Sequence, residues 1–168
     1  MKKISLLLVC FFSVAGTSSC KNEPEKKLEA VVQNKTGNKE LMLAAMQTHL
    51  DAISNRDLKI LESTLSPEGT MQLILPGTDI IENTAGFMDY HREWFKSAGW
   101  TIDSKILNSE AGETMAMVIV ESLYQEAERD GQPYFNKMIV SYALKKINKK
   151  WYVIKDHMAS VQKSTDQK

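Results

Sequence analysis

The part of the chain that most limits its fold lies after Gly99. Residues 100–108, 113–127, 134–147 and 151–160 are rich in β-branched, aromatic and apolar side chains and lack a helical repeat, so they read as four strands. The breaks between them are Ser109-Glu110-Ala111-Gly112, Arg129-Asp130-Gly131-Gln132-Pro133 and Asn148-Lys149-Lys150. These have hairpin chemistry, which makes the pairing antiparallel. The second strand is apolar on both sides, with Met115, Met117 and Ile119 on one face and Ala116, Val118 and Val120 on the other. A strand backed only by helices alternates more cleanly. Something therefore covers the second face, either a dimer partner or a buried lipid-like ligand.

The preceding segment is helical. Leu43, Met46, Leu50 and Ile53 recur at helical spacing over residues 39–54, and Leu58, Leu61 and Leu65 form a shorter stripe after the break at Asn55-Arg56-Asp57. Ser66-Pro67-Glu68-Gly69 is a turn, residues 70–75 and 79–82 are short strands, and Pro76-Gly77 joins them. Thr84 is placed to cap a third helix with the stripe Phe87, His91, Trp94 and Ala98, ended by Gly99. Three helices followed by strands make an α+β domain, a curved and mainly antiparallel sheet with the helices on one face.

The N-terminus reads as an export signal. Lys2 and Lys3 precede a short apolar run, residues 4–15, and Gly16-Thr17-Ser18-Ser19 leads into Cys20. The run is shorter than the ~20 apolar residues that span a bilayer. Small residues before a cysteine resemble a lipobox, so residues 1–19 are expected to be removed and Cys20 to carry a lipid. Thr17 stands where such motifs usually hold an aliphatic residue. The other cysteine, Cys10, lies inside the signal, so the mature chain has no disulfide or cysteine metal site. Residues 20–38 read as a polar tether, 39–162 as the domain and 163–168 as a disordered tail. Lys21 in place of an aspartate after the cysteine favours the outer membrane of a bacterial envelope.

The chain has 21 basic and 21 acidic residues. Without Lys2 and Lys3 the balance is slightly acidic, and no basic stripe exists, so nucleic acid is not an expected partner.

The order of elements resembles the nuclear transport factor 2-like superfamily, specifically its SnoaL-like members. Three stretches carry the likeness: Asn55-Arg56-Asp57-Leu58 through Gly69, residues 86–95, and Trp151 through Ser160. The last is similar to a Trp-x-x-x-His-x-His-x-Ser ending, with Lys155 replacing the first histidine and Ala159 the serine, while Trp151 and His157 remain. The resemblance implies a cone-shaped pocket between helices and curved sheet, and dimerisation through the sheet's outer face. The pocket is then expected to draw on Met46 and His49 from the first helix and Leu73 from the first strand. Tyr90, His91 and Trp94 would come from the third helix, Tyr142 and His157 from the sheet.

Ketosteroid isomerisation, a chemistry of this superfamily, needs a carboxylate base and a tyrosine; those positions fall on Leu73, beside Gln72, and on His49, which argues against that reaction. Three histidines and one aspartate remain as acid–base candidates: His49, His91, His157 and Asp156. His49, at the edge of the first helix's stripe, reads more simply as a boundary histidine sharing a hydrogen bond. His91 suits a pocket group or a packed ring bonded to a carbonyl equally well. Strict alternation places His157 with Trp151, Val153 and Lys155, and Asp156 on the opposite face. His91 with Asp89 or Glu93 is wrongly spaced for one helical face, so neither metal nor cofactor is expected. The leading reading is a lipid-anchored domain whose apolar pocket binds a small hydrophobic ligand or mediates protein interaction. The alternative is a small cofactor-independent lyase, isomerase or cyclase using His49 or His91.

Overall fold

A computed structural model describes residues 23–166 apart from residue 78, with side chains from Thr36 onward. The export segment and Cys20 lie outside the described residues. Helix α1 (Glu23–Ser54) and the short α2 (Leu58–Ser63) are followed by β1 (Gln72–Ile74), β2 (Ile80–Ile81) and α3 (Thr84–Trp94). The long strands β3 (Trp100–Ala111), β4 (Met115–Arg129), β5 (Gln132–Ile147) and β6 (Lys150–Lys163) complete the domain, with a 3₁₀ turn at Ser164–Asp166. All six strands form one sheet in the order β2-β1-β6-β5-β4-β3. Among these strands the β1–β6 pairing alone is parallel, and an isolated parallel bridge joins Leu65 to Val153.

The helix boundaries differ from the sequence expectation at three places. Helix α1 starts at Glu23, so residues 23–38, read as tether, have helical backbone. Glu, Lys, Leu, Ala and Gln are good helix formers, and a run without an apolar stripe is also how an exposed helix is written. Pro24 sits in the first turn, where its missing N–H costs nothing. The cap of α3 is Asn83 rather than Thr84, its Oδ1 accepting from Gly86 N at 2.8 Å. That helix closes at Trp94, before Ala98 and Gly99: Phe95 N–H makes the last bond four residues back, to His91 O, and the Lys96 and Ser97 N–H groups bond only three back, to Glu93 and Trp94. At the C-terminus β6 runs on to Lys163, and Lys163 N donates to Asp166 Oδ2 at 2.7 Å, so most of the expected tail is ordered.

The hairpin turns match their sequences. Asp130-Gly131 and Asn148-Lys149 all have positive φ, the left-handed pair that two-residue hairpins demand. The strands are bent by bulges: Leu107 in β3 and Ile154 and Val161 in β6 have no partner between flanking registered pairs. A bulge adds a residue on one strand and increases local twist and bend.

The core lies between the helices and the concave side of the sheet. Met42, Met46, Leu50 and Ile53 of α1 pack with Phe87 of α3 over Val118, Val120, Leu144, Trp151 and Val153. Burying each such side chain contributes about 1.5–3 kcal/mol. On the convex side Met115, Met117 and Leu107 are about half exposed, at 47, 52 and 48 %. The alternation expected for β4 is present, Ala116, Val118 and Val120 facing the core and Met115 and Met117 facing out.

Candidate functional site

A cavity of about 300 Å³ lies between α1, α3 and the concave sheet. Its exposed lining residues, Pro76 and Arg129, mark the mouth. Leu50 and Ile53 of α1 and Tyr90, His91 and Trp94 of α3 form the helical wall. The sheet side is built from paired inward residues that fall in tiers. Innermost are Tyr142 and its β6 partner Asp156. The next tier, Val140 beside Met158, is apolar. Beyond it Ser104, Ser122 and Met138 line the cavity in one row, which Ser160 continues beside the wall, and Tyr124 opposite Asn136 completes the approach to the mouth.

Asp156 is the unusual group. It is 1 % exposed, and neither carboxylate oxygen has a hydrogen-bond partner among the described residues. Burial pushes its pKa up to about 8, because a carboxylate removed from water without compensation is strongly disfavoured. At neutral pH it is mainly the neutral acid, an O–H donor. Burial raises the pKa of Tyr90 and Tyr142 as well, and the nearby Asp156 adds to both shifts.

His91 lies on the buried face of α3, and its Nδ1 is 2.9 Å from Phe87 O. A carbonyl only accepts, so Nδ1 carries the proton and Nε2 is an acceptor. Burial lowers its pKa to about 4, the Phe87 bond opposing the shift. The ring packs among Phe87, Tyr90, Trp94 and Phe95, with the Phe87 centroid 4.0 Å away. Trp94 in turn stacks on Trp100 at 4.5 Å.

Of the expected pocket residues, Tyr90, His91, Trp94 and Tyr142 line the cavity. Met46 and Leu73 do not; both are wholly buried in the core. His49 is also behind the wall rather than on it. Thr64 Oγ1 donates to Leu61 O at 2.6 Å and accepts from His49 Nδ1 at 2.7 Å. Burial first, and His91 second, hold the ring's pKa at about 3. Its Nε2 has no partner among the described residues. The expected shared hydrogen bond is present, but the ring is wholly buried rather than at a boundary.

Asp156 and His157 exchange the places that strict alternation gave them. Ala143 pairs with Lys155 and Leu144 with Val153, which leaves Ile154 as a bulge. The bulge shifts the phase by one, so Trp151, Val153 and Asp156 face inward while Lys155 and His157 are exposed on the convex side. Lys155 Nζ there donates to Gln72 Oε1 at 2.9 Å.

Composition alone passed over Ser104, Ser122, Asn136 and Ser160. Their signal was phase: each sits two residues from an inward apolar neighbour, where a core strand would repeat an apolar residue. Ser104 Oγ and Ser122 Oγ are 2.9 Å apart, while Asn136 Oδ1 and Ser160 Oγ are buried without partners among the described residues. At the mouth Arg129 donates from Nε to Glu126 Oε2 at 2.9 Å and from Nη2 to Oε1, and it lies over the Tyr134 ring at 3.5 Å. Among the described residues no three His, Cys, Asp or Glu side chains are grouped as metal ligands.

The chain belongs to the SnoaL-like domain family, whose sequence model matches residues 42–162. Solved structures with the same nuclear transport factor 2-like architecture include a candidate dehydratase of that family from Streptomyces avermitilis. It is 11 % identical with a TM-score of 0.66, and the match covers 76 % of this chain and 98 % of the other. A type 2 hexachlorocyclohexane dehydrochlorinase is 12 % identical at a TM-score of 0.65, covering 76 % and 90 %. The association domain of the C. elegans kinase CaMKII is 22 % identical at 0.58, covering 75 % and 98 %. No curated protein matches by sequence. At these identities the structural likeness establishes the fold, which carries both enzymes and assembly domains among its neighbours.

Proposed function

We propose that the domain binds a small, largely apolar molecule in the cone and grips one of its oxygens at the inner end. The observation that carries this reading is the Asp156 carboxyl, buried in the cavity without a hydrogen-bond partner among the described residues. Such groups are costly, and native interiors keep few of them without use. The protonated acid, backed by Tyr142 and Tyr90 and faced with the His91 acceptor, suits a carbonyl or hydroxyl oxygen. Val140, Met158, Leu50 and Ile53 supply apolar wall for the rest of the ligand.

Fluorescence titration with acetyl-dimethylaminonaphthalene, a dye whose emission reports the surroundings of its carbonyl, tests the proposal. Saturable binding that weakens about tenfold in Asp156→Leu is expected, the loss of one buried hydrogen bond. Absence of saturable binding, together with no co-purified small molecule by native mass spectrometry, would sink it.

A second reading is favoured by the opposed proton affinities of His91 and Asp156, an acceptor and a donor that are both mainly neutral at pH 7. That pairing suits cofactor-independent proton transfer, as in a small isomerase or lyase, with His91 rather than His49 as the base. Turnover of a hydrophobic carbonyl compound that vanishes in His91→Ala while the dye still binds is its signature.

The cellular setting belongs to the same proposal. Export and lipidation at Cys20 would hold the domain on the bacterial envelope, at the outer membrane given Lys21. Labelling with a radioactive fatty acid, abolished in Cys20→Ser, is the expected result. The exposed Met115, Met117 and Leu107 on the convex face support a homodimer. A monomer by light scattering at micromolar concentration would count against it.

A further inference from the structure

The tiers of the concave sheet carry more information than the presence of a pocket. Polar groups occur at two levels with an apolar level between them. Asp156 and Tyr142 make the inner level, Val140 and Met158 the middle, and Ser104, Ser122 and Ser160 the outer. From Asp156 to Ser160, four residues apart on one strand, is about 13 Å at ~3.3 Å per residue. Each polar region of the cavity wall contains buried atoms with no partner among the described residues: both Asp156 oxygens at the inner level, and Asn136 Oδ1 in the outer approach; Ser160 Oγ, in the serine row just off the wall, is likewise unpartnered among them. A ligand with one polar end leaves one level unsatisfied.

The charges give the ligand a direction. Arg129 is the one cationic side chain among the cavity's described lining residues at neutral pH, and it stands at the mouth. It commits Nε and Nη2 to Glu126, which leaves Nη1 for a second partner. The inner level holds no cation, only His91 with its Nδ1–H turned to Phe87 O. An anion placed there would meet Asp156 and no countercharge. Asn136, in the outer approach, can present its amide oxygen or, after a half-turn of the side chain, its NH₂.

Building on the ligand-binding reading above, we propose that the ligand is bipolar: a hydroxyl or carbonyl oxygen at Asp156, an apolar chain past Val140 and Met158, and a carboxylate in the outer polar approach, between the serine level and Arg129 at the mouth. The cavity volume of about 300 Å³ is at the small end of ligand pockets. It suits a medium-chain oxygenated acid better than a polycyclic one.

Calorimetric titration of the full chain with ω-hydroxydecanoic acid, decanoic acid and decanol separates the possibilities. The hydroxy acid is expected to bind about tenfold more tightly than either single-ended compound, because each leaves one buried level unpaired. Arg129→Gln should weaken both acids and leave decanol unchanged, whereas Asp156→Leu should erase the advantage of the hydroxy acid over decanoic acid. Equal affinity of the three compounds for the wild-type protein would overturn the inference, and this comparison needs no variant to fold. If none of the three binds while the naphthyl ketone does, the two-ended ligand is wrong and the pocket stands. If neither the ketone nor any of the three binds, both proposals fall.

Discussion

Val118 and Met117 are neighbours on β4, yet one is 0 % and the other 52 % exposed. The difference between the two faces of the sheet is not simply apolar inside and polar outside. The concave face, where hydrophobic filling would be simplest, holds an aspartic acid, three serines and an asparagine in a regular pattern. The convex face, where water would favour charge, exposes two methionines and a leucine. Each face departs from a plain solvent-exposed sheet in the direction of the partner proposed for it: oxygen-bearing and small on the inside, broad and apolar on the outside. A surface that breaks the burial rule on one side only would signal poor packing. Breaking it on both sides in opposite senses is what the proposed ligand inside and the proposed partner copy outside would each require.

The largest effects should come from placing a charge on each face. Val118→Asp buries an unpaired carboxylate and should cost about 4 kcal/mol or more, enough to unfold the domain. Met117→Asp, one residue away, should leave the thermal melt of the monomer nearly unchanged while abolishing self-association in light scattering. If Met117→Asp unfolds the chain, the convex face is core rather than interface. Next comes pH. His49 and His91 bind protons less readily in the folded state, with pKa values of about 3 and 4 against 6.5, so they make stability rise as pH climbs to about 6.5. Asp156 has the opposite sense: its folded pKa of about 8 lies above 3.8, so stability falls across that interval as the unfolded chain gives up the proton first. Two rising contributions outweigh one falling contribution below 6.5, and only the fall remains from there to about 8. Denaturant titrations should therefore peak near pH 6.5, and Asp156→Asn should remove the alkaline decline. A smaller effect is expected at Thr64→Val, which leaves the buried His49 Nδ1–H without its acceptor; about 1–3 kcal/mol should be lost in urea unfolding. The smallest belongs to the convex face: His157→Gln should alter monomer stability by less than about 0.5 kcal/mol, where His91→Ala, inside, should cost several times that.

Much of this architecture was legible in the residues. The change from helical to strand patterning at Gly99 located the sheet, Asp130-Gly131 and Asn148-Lys149 located its turns, and the stripe of α3 placed His91 on the cavity side. What could not be read were the consequences of single-residue irregularities. Ile154 is no different in kind from Val153 or Val118, so nothing in its chemistry announces a bulge. Yet that residue decides that Asp156 and not His157 faces the cavity. His49 was misplaced for another reason. Helical spacing gives the face of a residue but not whether Tyr142 and Phe87 stand in front of it. The serines at the outer level were readable by phase, but only once the register of all four strands was known.

The bulge at Ile154 has one more consequence. On β6, Lys155, Asp156 and His157 stand in succession, an amine, an acid and an imidazole, and the position of a single unpaired residue chooses which of them the interior receives. Moving that irregularity past Asp156 would bring Lys155 inward and turn the acid out, converting a proton donor into a nucleophilic amine without altering composition. The strand behaves as a selector with adjacent settings. One-residue insertions and deletions just before this triplet are therefore the changes by which relatives of this domain could trade one chemistry for another while leaving the cone intact.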